Sequence, residues 1–435
     1  MTKTIDEHIL DLITVLGDEF NILKYVYNKN KSFVAGVTPI YYSGPYWDER
    51  EIISAIKTLL VGSWLSSGEE VKSFENKFSM KINQKNGLML NSGSSANLIM
   101  IAALKKLLNW KDGDEIIVSV VGFPTTYSAI IQNNLKCTFV DIEMDTLNFD
   151  LNLIESKITN KTKAILLSPV LGNPCNMDKL TDLCNKYKLE LILDNCDSLG
   201  SKWKDKYLNE YAIANSNSFY AAHHICTGEG GMIVSDNSEL IKMARSFTSW
   251  GRKCICSGTE NLLQNGICGK RFGKWLDNYD GIVDHKYVFE NVGYNLKPLE
   301  LQGSIGLVQL DKFDEIHEKR KNSKKIISDL FNKYIKNIKT IDSLSDAEVS
   351  WFGTPIICDN KDIKNKLVEY LEKNKIQTRN YFAGNILLHP AYQNLGDFKD
   401  YPNANKVLDQ VFFIGASPHY NDEIFEYIEK ILKEY

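Results

Sequence analysis

Apolar and polar positions change period several times along the chain, and these changes divide it. In residues 4–20, Ile9, Leu10, Ile13 and Leu16 recur at helical spacing with acids between them, which predicts an amphipathic helix. With the loop that follows, this stretch makes an arm over residues 1–45. Beyond residue 46, short apolar runs alternate with helical patterns. Strands are predicted at Gly87–Leu90, Glu115–Ser119, Cys137–Val140, Ala164–Ser168, Glu190–Asp194, Ser216–Phe219 and Met232–Ser235, with helices such as Ser95–Leu108 and Met177–Tyr187 between them. This alternation predicts a mostly parallel sheet covered on both faces. The segment 254–281, rich in Gly, Asn and Cys, interrupts the pattern. A long helical stretch from Pro298 to about Tyr334 then leads into a mixed C-terminal region. The expected organisation is the arm, a large domain over 46–297 and a small C-terminal domain over 298–435.

Composition narrows the class. The net charge of −4 arises from 51 basic and 55 acidic residues with no basic stripe, which argues against nucleic acid as a partner. No apolar run reaches spanning length, and the acids in the N-terminal stretch are unlike a signal peptide, so a cytoplasmic protein without membrane association is expected. Nine cysteines in 435 residues do not make a disulfide scaffold; clustered in a reducing compartment, they read as a metal or redox site.

Three pieces of sequence carry candidate chemistry. Asn91-Ser-Gly-Ser-Ser-Ala-Asn97 follows a strand and opens a helix, a turn whose amides and hydroxyls suit a phosphate; Gly-Ser turns also serve simply as caps. Asp194 ends an apolar strand at the carboxyl edge, where open α/β sheets place ligands, and a carboxylate there can keep a pyridine nitrogen protonated. Ser216–Gly231 is a strand running into a Gly-rich turn with adjacent His223 and His224.

The order and spacing of these pieces resemble the sugar-nucleotide aminotransferases, fold type I pyridoxal-phosphate enzymes of the aspartate-aminotransferase superfamily. The resemblance runs from about Tyr41 to the C-terminus and includes Trp64, Gly68, Phe74 and Glu75. It implies an α/β fold with a large, mostly parallel sheet domain, a smaller C-terminal α/β domain, and a homodimer with shared active sites. By position, Gly93, Ser94 and Ser218 would hold the cofactor phosphate, with Ser95 in the same turn. Phe123 would stack on the ring, Asp194 would meet its nitrogen and Asp197 would lie near its hydroxyl. Asn295 would reach the phosphate of the neighbouring subunit's site. The family's cofactor-anchoring lysine falls 29 residues after the aspartate and five after the serine, and here that position is His223.

Histidine cannot anchor the cofactor covalently but can act as a base near neutral pH. The Ala222-His-His-Ile225 and Gly228-Glu-Gly-Gly231 strings look like those of 3-dehydratases of nucleotide-linked 4-keto-6-deoxyhexoses. That likeness implies pyridoxamine phosphate held without a covalent bond, His223 as the base for loss of the C-3 hydroxyl, and His224 as a structural residue. The product would be a 3-deoxy sugar for a surface polysaccharide such as lipopolysaccharide O-antigen.

Four cysteines sharpen the resemblance. Cys196 is followed after 57 residues by Cys254, then Cys256, and Cys268 precedes Gly-Lys-Arg-Phe272. This spacing is similar to that of the CDP-4-keto-6-deoxyglucose-3-dehydrase family, the iron–sulfur branch of the DegT/DnrJ/EryC/StrS sugar-aminotransferase-like proteins. It implies a 2Fe–2S cluster on these four thiolates, a CDP-linked substrate, and an NADH-dependent flavin and iron–sulfur reductase or a ferredoxin as electron donor. Zinc or plain packing also suits such thiols. Two departures stand out: eleven residues between Cys256 and Cys268 where the family usually has seven, and Pro169 where a histidine is common. The remaining cysteines, Cys137, Cys175, Cys184, Cys226 and Cys358, read as packing residues. The nearest alternatives are an iron-free 3-dehydratase of a GDP-linked sugar and a non-catalytic relative that binds a sugar nucleotide.

Overall fold

The computed structural model describes residues 3–20, 33–62, 64–254 and 271–435. The chain opens with α1 (Ile5–Phe20), whose Ile9 and Ile13 are buried while Leu10 is exposed. The buried stripe is thus narrower than the expected four-residue face: it is one i, i+4 pair packed on α2 (Glu49–Val61). Helix α3 (Glu69–Lys81) starts without a side-chain cap of its own.

All seven expected strands form, and they make one sheet. They are β1 (Asn86–Leu90), β2 (Glu115–Ser119), β3 (Lys136–Val140), β4 (Thr162–Leu167), β5 (Glu190–Asp194), β6 (Ala214–Ser218) and β7 (Gly231–Ser235). Their order is β1-β7-β6-β5-β4-β2-β3, parallel throughout except for β7, which runs antiparallel to both of its neighbours. Strand β6 starts two residues before the predicted run because Ala214 and Asn215 pair with Ile192 and Leu193. Helices α4 (Gly93–Leu107), α5 (Pro124–Gln132), α6 (Met177–Tyr187) and α7 (Ser238–Thr248) connect or follow these strands. Strands β1 to β5 are apolar, as a sheet buried on both faces requires. Strand β6, Ala-Asn-Ser-Asn-Ser, is fully buried and yet polar.

The stretch expected to be one long helix is two, α8 (Glu300–Asp311) and α9 (Phe313–Tyr334). They part at Lys312, whose ammonium is drawn to buried Glu51 at 2.7 Å and to Asp48 at 2.9 Å. Helix α8 packs on α2 and α3, and Gly303 permits the approach: a Cβ there would lie 2.5 Å from the Val71 nitrogen. A second, antiparallel sheet has the order β8 (Ile338–Thr340), β9 (Gly353–Cys358), β11 (Val411–Gly415), β10 (Thr378–Asn380). Helices α9, α10 (Lys361–Lys373) and α11 (Asp422–Glu434) cover it around Ile327, Phe331, Leu367, Phe412 and Ile428. Among the described residues no helix is long and apolar enough to cross a membrane.

Candidate active site

The site gathers at the carboxyl edge of the large sheet. Strand β1 runs through Asn91 into α4, where the Ser92 hydroxyl caps the helix by accepting from the Ser95 amide at 3.1 Å. The Gly93 and Ser94 amides belong to the first turn, where no intrahelical acceptor exists. Gly93 rests on Ser218 at the end of β6; a Cβ there would stand 2.5 Å from the Ser218 Cβ. Close backbone approach therefore brings a helix N-terminus and two or three hydroxyls to one spot, an arrangement suited to a phosphate.

Asp194 ends β5 beside Ser216 of β6 and is buried. Its Oδ2 accepts from Asn97 Nδ2 at 2.8 Å and Thr126 Oγ1 at 2.7 Å, and its Oδ1 from the Cys196 amide at 3.3 Å. The polar character of β6 follows from this network. Ser216 donates to Asn97 Oδ1 at 2.5 Å, while Asn195, Asn217 and Asn215 form an amide chain ending on the Val234 carbonyl. Phe123, the N-cap residue of α5, is half exposed, with its ring edge-on to Phe382 at 5.9 Å.

Beyond Asp194 the chain turns through Cys196 and Asp197. Asp197 Oδ2 accepts from the Leu171 amide at 3.2 Å, so the Ser168–Asn173 stretch, with Pro169 in it, packs directly on this carboxyl. Burial, and to a smaller extent the Asp194 charge, pushes the Asp197 carboxyl up to about 7, against the backbone bond and Arg320. Its Oδ1 lies 3.6 Å from Nδ1 of His223. Burial first, and Arg320 second, lower His223 to about 3. The imidazole is therefore neutral at pH 7, and its approach to Asp197 is a contact, not an ion pair. The ring also meets Phe352 at 5.4 Å and Tyr220 at 6.3 Å between centroids. His224 turns inward, with Nε2 2.7 Å from the Ser350 carbonyl oxygen.

Asn295 is exposed and accepts from Lys297. Its segment is tied to the phosphate turn by the Asn91 amide, which donates to the Leu296 carbonyl at 3.0 Å. Of the four expected cluster ligands, Cys196 and Cys254 are partly buried, and Cys256 and Cys268 lie outside the described residues. Burial and the Asp194 charge push the Cys196 thiol well above its usual range. Cys137, Cys175, Cys184, Cys226 and Cys358 are each pushed up to about 12 by burial.

The donor set fits a phosphate-bearing pyridine: amides and hydroxyls in the turn, a buried carboxylate at Asp194, and an exposed aromatic ring, Phe123, three residues before the Thr126 that bonds that carboxylate. Sequence reasoning did not single out Thr126, Ser216, Phe352 or Arg320, and saw Asn97 only as part of the turn. A signal for Arg320 exists: Ile316, Arg320, Ser323, Ile327 and Phe331 recur at helical spacing and are all buried. In the sequence, the basic run around Arg320 reads instead as a solvated face.

Comparison with known proteins agrees with this geometry. Lipopolysaccharide biosynthesis protein RfbH of Salmonella typhimurium is 35% identical over 93% of each chain. The dTDP-4-dehydro-2,6-dideoxy-D-glucose 3-dehydratase of Saccharopolyspora spinosa is 34% identical over 94% of this chain and 88% of its own. The solved structure of E. coli GDP-4-keto-6-deoxy-D-mannose-3-dehydratase with bound hydrated pyridoxal phosphate superposes with a TM-score of 0.79 at 31% identity, covering 91% of this chain and all of that one. The fold is accordingly that of the fold type I pyridoxal-phosphate enzymes. The model of the DegT/DnrJ/EryC1/StrS aminotransferase family matches residues 47–433, and the chain belongs to that family.

Proposed function

We propose that this protein is a pyridoxamine-phosphate-dependent 3-dehydratase of a nucleotide-linked 4-keto-6-deoxyhexose. One observation carries the reading: a partly buried, neutral histidine, His223, stands where the aminotransferases place their lysine, 3.6 Å from Asp197, which itself lies three residues beyond Asp194 in the chain. Gly93, Ser94, Ser95 and Ser218 hold the phosphate, with Asn295 of a second subunit completing that end. Asp194 keeps the ring nitrogen protonated, Phe123 covers the ring, and Asp197 meets its hydroxyl. When bound, the cofactor supplies an amine that joins the substrate ketone and a ring that takes up an electron pair. His223 then moves the proton that accompanies departure of the C-3 hydroxyl.

Dehydratase relatives that name dTDP- and GDP-linked sugars support the reaction class, and the solved neighbour favours a GDP-linked substrate without iron over the expected CDP-linked one. The comparisons lend no support to a 2Fe–2S cluster or to CDP. One feature still favours that second reading. Cys196 lies two residues from Asp194, and the spacing to Cys254, Cys256 and Cys268 is similar to that of the iron–sulfur branch. In that case electrons from a reductase or ferredoxin would enter next to the cofactor.

Two experiments decide. His223→Asn is expected to lose dehydration of GDP- and CDP-linked 4-keto-6-deoxyhexoses while still binding pyridoxamine phosphate; near wild-type turnover would overturn the role of His223. An anaerobic absorption spectrum with iron, sulfide and zinc analysis separates the two readings. Release of 3-deoxy product by metal-free protein without reductant supports the iron-free one. Iron and sulfide in the protein, with turnover that needs reductase and NADH, support the other.

A further inference from the structure

Arg320, on α9, is completely buried, and among the described residues no carboxylate forms an ion pair with it. Its Nη1 donates to the carbonyls of Trp351 and Phe352 at 3.4 Å and of Ala416 at 3.5 Å, and its Nη2 donates to the carbonyl of His223 at 3.3 Å. The Nε is buried with no partner. Asp197 favours the Arg320 charge without pairing with it directly, and burial disfavours that charge more, so the cation is held chiefly by backbone carbonyls at some cost.

The carbonyls it gathers belong to three segments far apart in sequence: the loop after β6 that carries His223, the entry to β9 and the exit from β11. Phe352 touches both groups, its ring centroid 5.8 Å from the Arg320 guanidinium carbon and 5.4 Å from the His223 ring centroid. A planar fork presents Nη1 and Nη2 to different segments in fixed geometry, whereas a lysine has a single rotating ammonium.

We infer that Arg320 is a positioning residue for the dehydration proposed above: it fixes the backbone at His223, sets the imidazole against Phe352, and places a permanent positive charge behind it. The inference rests on His223 as the proton carrier. The charged and titratable groups facing that imidazole are Asp197 at 3.6 Å, the ring of Tyr220, His224 next in the chain, and Arg320 itself. An ionised Asp197 favours the protonated ring, whereas Arg320 disfavours it. Removing the guanidinium therefore moves the His223 titration upward.

The test uses the cofactor-loaded protein with labelled histidine, the His223 signal being assigned by its loss in His223→Asn. In Arg320→Met the His223 titration midpoint is expected to rise by about one pH unit or more. In Arg320→Lys, which keeps the charge and loses the fork, the midpoint stays near the wild type while kcat falls by about tenfold or more. Cofactor affinity in both variants is expected to stay within about twofold of wild type, because the phosphate and ring contacts lie on other segments. An unchanged midpoint in a folded Arg320→Met, or full kcat in Arg320→Lys, overturns the inference. If Arg320→Met does not fold, the kcat of Arg320→Lys decides alone. The titration and the cofactor affinity need no substrate, so a wrong substrate assignment leaves them readable and is told apart from failure here.

Discussion

Asp194 is held by three donors, two of them side chains on different helices: Asn97 on α4 and Thr126 on α5. Removing either donor leaves a buried carboxylate short of a partner. Thr126→Val and Asn97→Leu are each expected to cost about 1.5–3 kcal/mol of stability and to loosen the cofactor, while Thr126→Ser keeps both. Chemical denaturation and cofactor titration check this, and a Thr126→Val protein as stable as wild type contradicts it. Buried histidines set the acid limit. His419, with Nε2 3.0 Å from the Pro45 carbonyl oxygen, is lowered to about 3, chiefly by burial. Its unfolded form titrates near 6.5. Between about 6.5 and 3 the unfolded chain binds a proton that the folded chain refuses, so stability is complete above this window and declines as pH falls through it. His419→Asn should flatten the dependence of unfolding free energy on pH by close to one proton at about pH 5. An unchanged slope would mean that His419 titrates alike in both states.

At the scale of elements, capping is done from a distance. Helix α3 lacks its own cap, and Glu300, 232 residues after Gly68, supplies it by accepting from the Gly68 amide at 2.5 Å, Glu70 at 3.0 Å and Val71 at 3.1 Å. Glu300→Ala is expected to lower stability by about 2–3 kcal/mol, read as a shift in denaturant midpoint with an unchanged slope. Contacts of this kind explain what the sequence shows and what it hides. The strands and the Ser92 turn were legible because their signals are local: an apolar run, a Ser cap, a Gly that must approach another backbone. Asp194 and His223 were legible through their spacing. The break at Lys312 was not, since the carboxylates its ammonium meets there are Glu51 on α2 and Asp48 just before it. Neither was the polar β6, whose side chains satisfy partners just past β5, on β7 and on α4. Arg320 was hidden for the same reason, because every carbonyl it ties lies on another segment.

Across the whole molecule, one surface is unusually apolar. Leu59, Leu60, Val61, Trp64, Leu65 and Leu299 are each about half exposed or more, and a bridge between Ser66 and Leu299 brings Leu299 beside the end of this stretch. Such a patch marks an association surface. A second copy of the chain is the proposed occupant, because the site proposed above takes Asn295 from a neighbouring subunit. Sedimentation of the protein is expected to give a dimer, and Leu60→Asp with Trp64→Glu to give monomers that bind cofactor more weakly. Monomeric wild-type protein with full cofactor affinity contradicts that assignment.

The one antiparallel strand of the large sheet has a consequence for the order of events during synthesis. Strand β1 pairs only with β7, made some 140 residues later, and the same β7 begins at Gly231, whose backbone closes on Ser92 and Gly93. A nascent chain that has emerged as far as β6 already holds Asp194 and Ser218, yet its first strand has nothing to pair with. The phosphate turn then hangs from an unpaired edge, and the long wait exposes that edge to other chains. Ribosome-stalled chains ending before Gly231 are therefore expected to leave pyridoxal phosphate free, and chains extended past Ser235 and α8 to begin retaining it.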